Sequence, residues 1–198
     1  MNSESLPERL ILASSSKYRK MLLQRFGIPF ECHSPDIDES RNENESPVKL
    51  AGRLADEKAA AIGKDHPTAI VIGSDQIAVF ENKVLGKPGS YQPAMRQLST
   101  FSGRTVEFLT AVSVQCQASG FKEVHIDTTR VCFRELESTE IERYLDIEKP
   151  FDCAGAFKAE SLGITLFERI SSEDPTALIG LPLIRTAAML RRAGLHLP

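Results

Sequence analysis

Three polar clusters in this 198-residue sequence carry residue types that could do chemistry together. The first, Ser14-Ser15-Ser16-Lys17-Tyr18-Arg19-Lys20, sets hydroxyls and the unpaired N–H groups of a helix start beside cations, which is a recipe for holding phosphates. The same residues also describe a helix cap followed by a solvated helix face. The second, Asp36-Ile37-Asp38-Glu39, offers hard oxygen ligands for Mg²⁺ or Mn²⁺, or else a solubilising acidic loop. The third is Ser74-Asp75-Gln76, in which Asp75 is either a turn former leaving a strand or a carboxylate that activates water beside a metal ion. Lys58, Lys87, Arg104 and Lys158 could neutralise an anion, although each taken by itself reads as an exposed charge.

Other familiar chemistries lack their residues. There is no G-x-S-x-G elbow, no Walker A sequence and no G-x-G-x-x-G fingerprint. His33, His66, His125 and His196 are scattered, and Cys32, Cys116, Cys132 and Cys153 form no C-x-x-C pair that would suggest structural zinc. The cysteines read as reduced, mostly buried thiols of a cytosolic protein.

The elements that must hold these clusters follow from periodicity. Arg9 to Ala13 is an apolar run ending in the serine loop, and Met21, Leu22, Leu23 and Phe26 then recur at helical spacing before Gly27. Pro29 to His33 reads as a strand leading into the acidic loop. Ser46-Pro47 supplies an N-cap and an N1 proline for a long helix to about Gly63, with Leu50, Leu54 and Ala61 on one face. Ala69 to Ile72 has the character of a central strand and is expected to stop at Gly73-Ser74-Asp75-Gln76 before Ile77 resumes β structure. Further on come a helix around Pro93 to Leu98, a hairpin of Thr105 to Gln115 with Lys122 to Phe133, and a capping box at Thr139-Glu140-Ile141-Glu142 opening a helix to about Leu145. Gly163 to Glu168 reads as a strand, and Pro182 to Ala193 as an amphipathic helix with Leu183, Ala187 and Leu190 inward. Interspersed helices and strands with one hairpin predict an α/β protein with a mixed, twisted sheet and flanking helices. No linker separates independent domains, so residues 1–198 are expected to form one domain, with an extended or disordered stretch at about 1–8.

Composition narrows the partners. A formal charge of -3 and a pI near 5.9 leave no excess of basic residues for a polymeric nucleic acid, whereas a small anion needs only a local patch. The first residues are acidic and polar where a secretion signal is basic and then apolar, and no apolar run approaches about 20 residues, so neither export nor membrane insertion is expected.

Taken together and in order, the motifs resemble the Maf-like nucleotide pyrophosphatases. They are Leu12-Ala13-Ser14-Ser15-Ser16 with Arg19 and Leu22-Leu23, Asp38-Glu39, Arg53-Leu54-Ala55 with Glu57-Lys58-Ala59, Gly73-Ser74-Asp75-Gln76, Gly86-Lys87-Pro88, Ser102-Gly103, Ala154-Gly155-Ala156-Phe157 and Ile179-Gly180-Leu181-Pro182. The resemblance runs from about Leu10 to Arg192 and implies two lobes enclosing a nucleotide-binding cleft, hydrolysis of a nucleoside triphosphate to the monophosphate and pyrophosphate, a divalent cation (Mg²⁺, Mn²⁺ or Co²⁺), a homodimer and a cytoplasmic location. By position it implies Asp75 as proton acceptor, Ser14, Arg19, Lys58 and Lys87 as phosphate-binding residues, and Glu39 with Asp75 at the metal. A base role for Asp75 and a metal-ligand role stay open side by side.

Relatives acting on dTTP and UTP carry an arginine in the first loop, a threonine after the aspartate and a glutamine late in the chain, where this sequence has Tyr18, Gln76 and Glu160. The three departures resemble the branch that prefers N7-methylated guanosine triphosphate. Chemistry supplies a motive, since methylation makes the purine cationic and an aromatic face attracts a cation. Glu160 could accept from the guanine N1–H and exocyclic amine. The alternatives are a dTTP/UTP pyrophosphatase, or a nucleotide-binding regulator of cell division with little hydrolysis.

Overall fold

The computed structural model describes residues 9–197, so the expected extended stretch at 1–8 lies outside the described residues. Along the chain run β1 (Leu10–Ala13), α1 (Lys17–Gln24), β2 (Glu31–His33), α2 (Pro47–Gly63), β3 (Ile70–Phe80), β4 (Lys83–Leu85), α3 (Tyr91–Phe101), β5 (Thr105–Cys116), β6 (Phe121–Phe133), α4 (Ser138–Glu148), β7 (Phe167–Ser171) and α5 (Leu183–Arg192). The strands form a seven-stranded sheet in the order β2-β1-β3-β5-β6-β7, with β4 paired to β3. β1 is parallel to both β2 and β3, as strands joined through α1 and α2 must be, while β3–β4 and β6–β7 are antiparallel. The sheet is therefore mixed and the class α/β, as the sequence predicts. Among the described residues no helix is long and apolar enough to cross a membrane.

The chain divides into two compact units. The described part of the first comprises residues 9–75, 110–127 and 174–197, and the second comprises 76–109 and 128–173. In the first unit, alternate residues of β1 and β3 serve two faces, as the period of two along a strand requires. Leu10, Leu12, Ile70 and Ile72 join Leu22, Leu23, Val112, Leu181 and Leu190 in one core, while Ile11, Ala13 and Val71 pack with Ala59 of α2. The second unit is built on aromatic rings. Phe80, Phe101, Phe133, Phe157 and Phe167 touch in succession at centroid separations from 4.8 to 5.7 Å, in tilted or edge-to-face arrangements that suit the ring quadrupoles.

Four expectations need correction. β3 does not stop at Gly73 but runs unbroken from Ile70 to Phe80, so Asp75 lies within a strand and not in a loop at its end. A turn is unnecessary because the polar residues find partners inside, described below. The helix after residue 137 opens two residues earlier than expected, with Glu137 as N-cap and Glu140 reaching back to the Glu137 N–H, and it continues to Glu148. The segment Leu162–Leu166 is a 3₁₀ turn, and the strand begins only at Phe167. Gly163 lies so close to the Lys158 carbonyl that an added Cβ would collide with it, which marks a tight fold-back where an extended strand was expected. Finally, only Cys116 is buried; Cys32 is exposed and the other two are half-buried. On α5 the buried face is Leu183, Thr186, Met189 and Leu190, with Ala187 half-buried beside it.

Candidate active site

The first unit holds most of the expected residues, three of them joined through one buried ammonium. Because β3 alternates, Val71, Gly73 and Asp75 look toward α2, whereas Ile72 and Ser74 look to the opposite face. Gly73 is what lets α2 come close: a Cβ there would run into the Ala55 carbonyl oxygen and sit 2.6 Å from the Ala59 nitrogen. The glycine's role is thus close packing of helix on strand, at a backbone position that calls for no turn. The helix so placed presents Lys58, on its buried face and only 7% exposed, to the strand.

Lys58 Nζ donates to Asp75 Oδ1 at 2.7 Å and pairs with Glu39 Oε1 at 2.7 Å. The Asp75 side chain is 11% exposed and that of Glu39 is 61% exposed, so the cluster grades from interior to solvent through a single ammonium. The lysine was open to a reading as surface charge; its burial between two carboxylates removes that reading. An ammonium out of water requires such pairing.

Arg19 completes the group from α1. Its Nε donates to the Gly180 carbonyl at 3.0 Å, and Nη1 lies 3.5 Å from Ser14 Oγ. Burial of the guanidinium lowers its pKa, opposed by the charges of Asp75 and Glu39, and an arginine so placed stays protonated. Ser14 is buried at the end of β1, where its Oγ accepts from the Ser16 N–H at 3.1 Å, and Ser16 Oγ caps α1 by accepting from the Arg19 N–H at 3.4 Å. The serine loop is therefore a helix cap, as one of the two sequence readings has it, and it carries Arg19 beside the buried Ser14 hydroxyl. Tyr18, half-buried, has the Lys17 ammonium 5.0 Å from its ring centroid.

Two contributors have no role of their own in the sequence reading. Ser74, fully buried, has its Oγ 2.8 Å from the Ala111 carbonyl and 2.9 Å from that of Gly180, sharing one proton between them. Gly180 adopts φ 127°, a conformation that favours glycine, and its carbonyl oxygen receives both Ser74 and Arg19. In the sequence Ser74 stands out only as a member of its polar cluster and motif, and Gly180 only as a member of an ordered motif.

The remaining expected residues belong to the second unit. Gln76 is half-buried on β3, and Lys87 is exposed between β4 and α3 in the segment that opens with Gly86, whose carbonyl accepts from Gln97 Nε2 at 3.0 Å. Glu160 is exposed on the irregular stretch between α4 and β7. That stretch is pinned by Glu148 at the end of α4, which accepts from Ser161 Oγ at 2.7 Å and from the Leu162 N–H at 3.0 Å. Lys158 Nζ donates to the Glu148 carbonyl at 2.7 Å, and the Lys158 N–H donates to Tyr144 Oη at 3.2 Å. Lys158 is thus a structural tie, and Arg104 an exposed one to Glu81 at 2.7 Å.

Among the described residues no group of three or more His, Cys, Asp or Glu gathers as a metal cage. The donor set at Lys58, two carboxylates converging from a strand and a loop, nevertheless suits a hard cation that takes one or two protein ligands and completes its shell with water and phosphate oxygens.

Comparison with known proteins covers nearly the whole chain. The chain is 53% identical over 191 residues to a 7-methyl-GTP pyrophosphatase of Xanthomonas oryzae pv. oryzae, covering 96% of this chain and 99% of the relative. It is 48% identical over 193 residues to one of Albidiferax ferrireducens, covering 98% and 97%. A relative of the same name from Pseudomonas syringae pv. syringae is 49% identical over 189 residues, covering 96% and 98%. Residues 9–193 match the family model described as Maf-like protein, and with relatives of this similarity the chain belongs to the Maf-like family.

Proposed function

We propose that this protein is a nucleoside triphosphate pyrophosphatase that hydrolyses 7-methyl-GTP to 7-methyl-GMP and pyrophosphate. The observation that carries the reading is similarity at about half of all positions, over nearly the full length, to relatives bearing that name. The cluster of Lys58, Asp75 and Glu39 supports the hydrolytic part, because it supplies the groups the reaction needs.

Attack by water on the α-phosphorus needs a group to take the water's proton and cations to meet the charge on the phosphoryl oxygens. Asp75 is that proton acceptor, held by a strand and an ammonium in one orientation. Lys58, which bridges two carboxylates, and Arg19, aimed by the Gly180 carbonyl, neutralise the triphosphate, with Ser14 Oγ as a further hydrogen-bonding group. Lys87 on its exposed segment adds a further cation for the triphosphate. Glu39 and Asp75 would hold a divalent cation, Mg²⁺, Mn²⁺ or Co²⁺, which when bound offsets phosphate charge and orients the reacting oxygens.

Specificity belongs to Tyr18, Gln76 and Glu160. The Lys17 ammonium over the Tyr18 ring is a stand-in for a cationic base, since it uses the same attraction of a positive charge to an aromatic face. Glu160, exposed and anionic, suits both the donor edge and the positive charge of methylated guanine. Homodimeric assembly and a cytoplasmic location belong to the same proposal, tested by sedimentation of the purified protein and by fractionation of cells.

Pyrophosphate release from 7-methyl-GTP, GTP, dTTP and UTP with each of the three metals tests the reading. The expected result is a preference for 7-methyl-GTP that Asp75→Asn abolishes while nucleotide binding persists. Equal rates on dTTP or UTP would overturn the specificity, and binding without turnover under any metal would favour the regulator.

A further inference from the structure

Arg53 stands outside every role assigned so far, yet its whole guanidinium is engaged in hydrogen bonds. From α2 its Nε donates to Glu45 Oε1 at 2.8 Å, Nη2 to Glu45 Oε2 at 3.0 Å and to the Ser40 carbonyl at 2.8 Å, and Nη1 to Glu57 Oε2 at 3.0 Å. Glu45 is nearly buried, and its second oxygen also accepts from the Asn42 N–H at 3.1 Å, while its carbonyl accepts from Arg41 Nε at 2.7 Å. The segment between β2 and α2 has no regular structure to hold it. It is held instead by these contacts and by the Ser40 N–H donating to Asp38 Oδ1 at 2.8 Å.

Ser40 is the neighbour of Glu39, whose carboxylate is paired with Lys58. Arg53 and Lys58 are five residues apart on one helix, roughly 7.5 Å along its axis. The acidic segment is therefore fastened to two residues of α2, to Arg53 through the Ser40 carbonyl and the Glu45 carboxylate and to Lys58 through the Glu39 side chain. We propose that Arg53 is a positioning residue: its guanidinium fork fixes the segment on α2 and so delivers Glu39 to the Lys58–Asp75 pair. A fork is required because two directions must be served at once, the Glu45 carboxylate and the Ser40 carbonyl, and an ammonium of equal charge lacks that geometry.

The consequence for activity rests on the pyrophosphatase reading; the consequence for the loop does not. Amide hydrogen exchange and steady-state kinetics on the full chain carrying Arg53→Lys, Arg53→Ala or Glu57→Gln separate the two. In Arg53→Lys and Arg53→Ala, exchange at the Ser40, Asn42 and Glu45 amides rises about tenfold or more while the α2 amides keep their protection, and the Glu57→Gln loop exchanges like the wild type. With 7-methyl-GTP and Mg²⁺, KM rises about tenfold in Arg53→Lys with a smaller change in kcat, because Glu39 is misplaced and Asp75 is not. Unchanged loop exchange in Arg53→Lys overturns the proposal, and so does a rise shared equally by loop and helix, which would mean general loosening. If the wild type hydrolyses no nucleotide, the functional reading falls and the exchange pattern still decides the role of Arg53.

Discussion

The Lys58 cluster of the first unit and the Glu160 segment of the second solve the same problem by different means. Lys58 and Asp75 rise from a helix and an unbroken strand whose backbones touch at Gly73, so their separation is set by regular structure. Glu160 rides on turns and 3₁₀ structure between α4 and β7, and that stretch is tied down largely by one carboxylate, Glu148. Sites on regular elements are held more narrowly than sites on loops, and loops change without disturbing a core. The comparison teaches that groups proposed for the shared chemistry sit where variation is costly, and a group proposed for base choice sits where it is tolerated.

The largest expected effect that would break this contrast comes from Lys58→Met. It leaves the Asp75 carboxylate buried without its ammonium, and urea unfolding should register a loss of about 3 kcal/mol along with pyrophosphatase activity. Gly73→Ala comes next, at about 2 kcal/mol, because the new methyl drives α2 from β3; the urea midpoint measures it. If Gly73→Ala were neutral, regular structure would not be setting the geometry. Glu148→Gln should cost the protein less, about 1 kcal/mol in urea, with preserved turnover but altered preference among nucleotides.

Acid should act on the same carboxylate. Partial burial pushes the Glu148 pKa up, but hydrogen bonds from Ser161, the Leu162 N–H and Lys158 outweigh it and hold the pKa below its ordinary value. A carboxyl with a depressed folded pKa contributes stability that is present above the ordinary value near pH ~4.3 and is lost as pH falls through the lower folded one. Urea midpoints of the wild type and Glu148→Gln should converge over that acid range. The smallest effect is expected from Lys17→Ala, which removes the resident cation from Tyr18 and should favour 7-methyl-GTP over GTP in KM by no more than about fivefold.

Much of the first unit was legible because its signals are local. The Ser46-Pro47 start of α2, the apolar run of β1 and the serine cap of α1 each follow from a few adjacent residues. Asp75 was legible as a residue but misplaced at a strand end, because Gly73-Ser74-Asp75 carries every mark of a turn when its partners are unseen. Those partners, Lys58, Ala111 and Gly180, lie far along the chain, and no window of neighbouring residues reports them. The segment before β7 was misread for a related reason: Leu162–Leu166 has strand composition, yet the approach of Gly163 to the Lys158 backbone and the grip of Glu148 bend it into a 3₁₀ turn. Arg53 was visible only as part of a motif, since its importance lies in what it reaches.

The bare Cα of Gly73 also has a thermodynamic meaning. A lysine side chain carries close to 2 kcal/mol of rotamer entropy, which some event must remove before its ammonium can serve a fixed partner. By letting α2 settle directly on β3, the glycine confines Lys58 during folding, when the hydrophobic core supplies the driving force. At the proposed site a nucleotide would then meet an arm already stilled, and its binding energy would be left for the phosphates themselves.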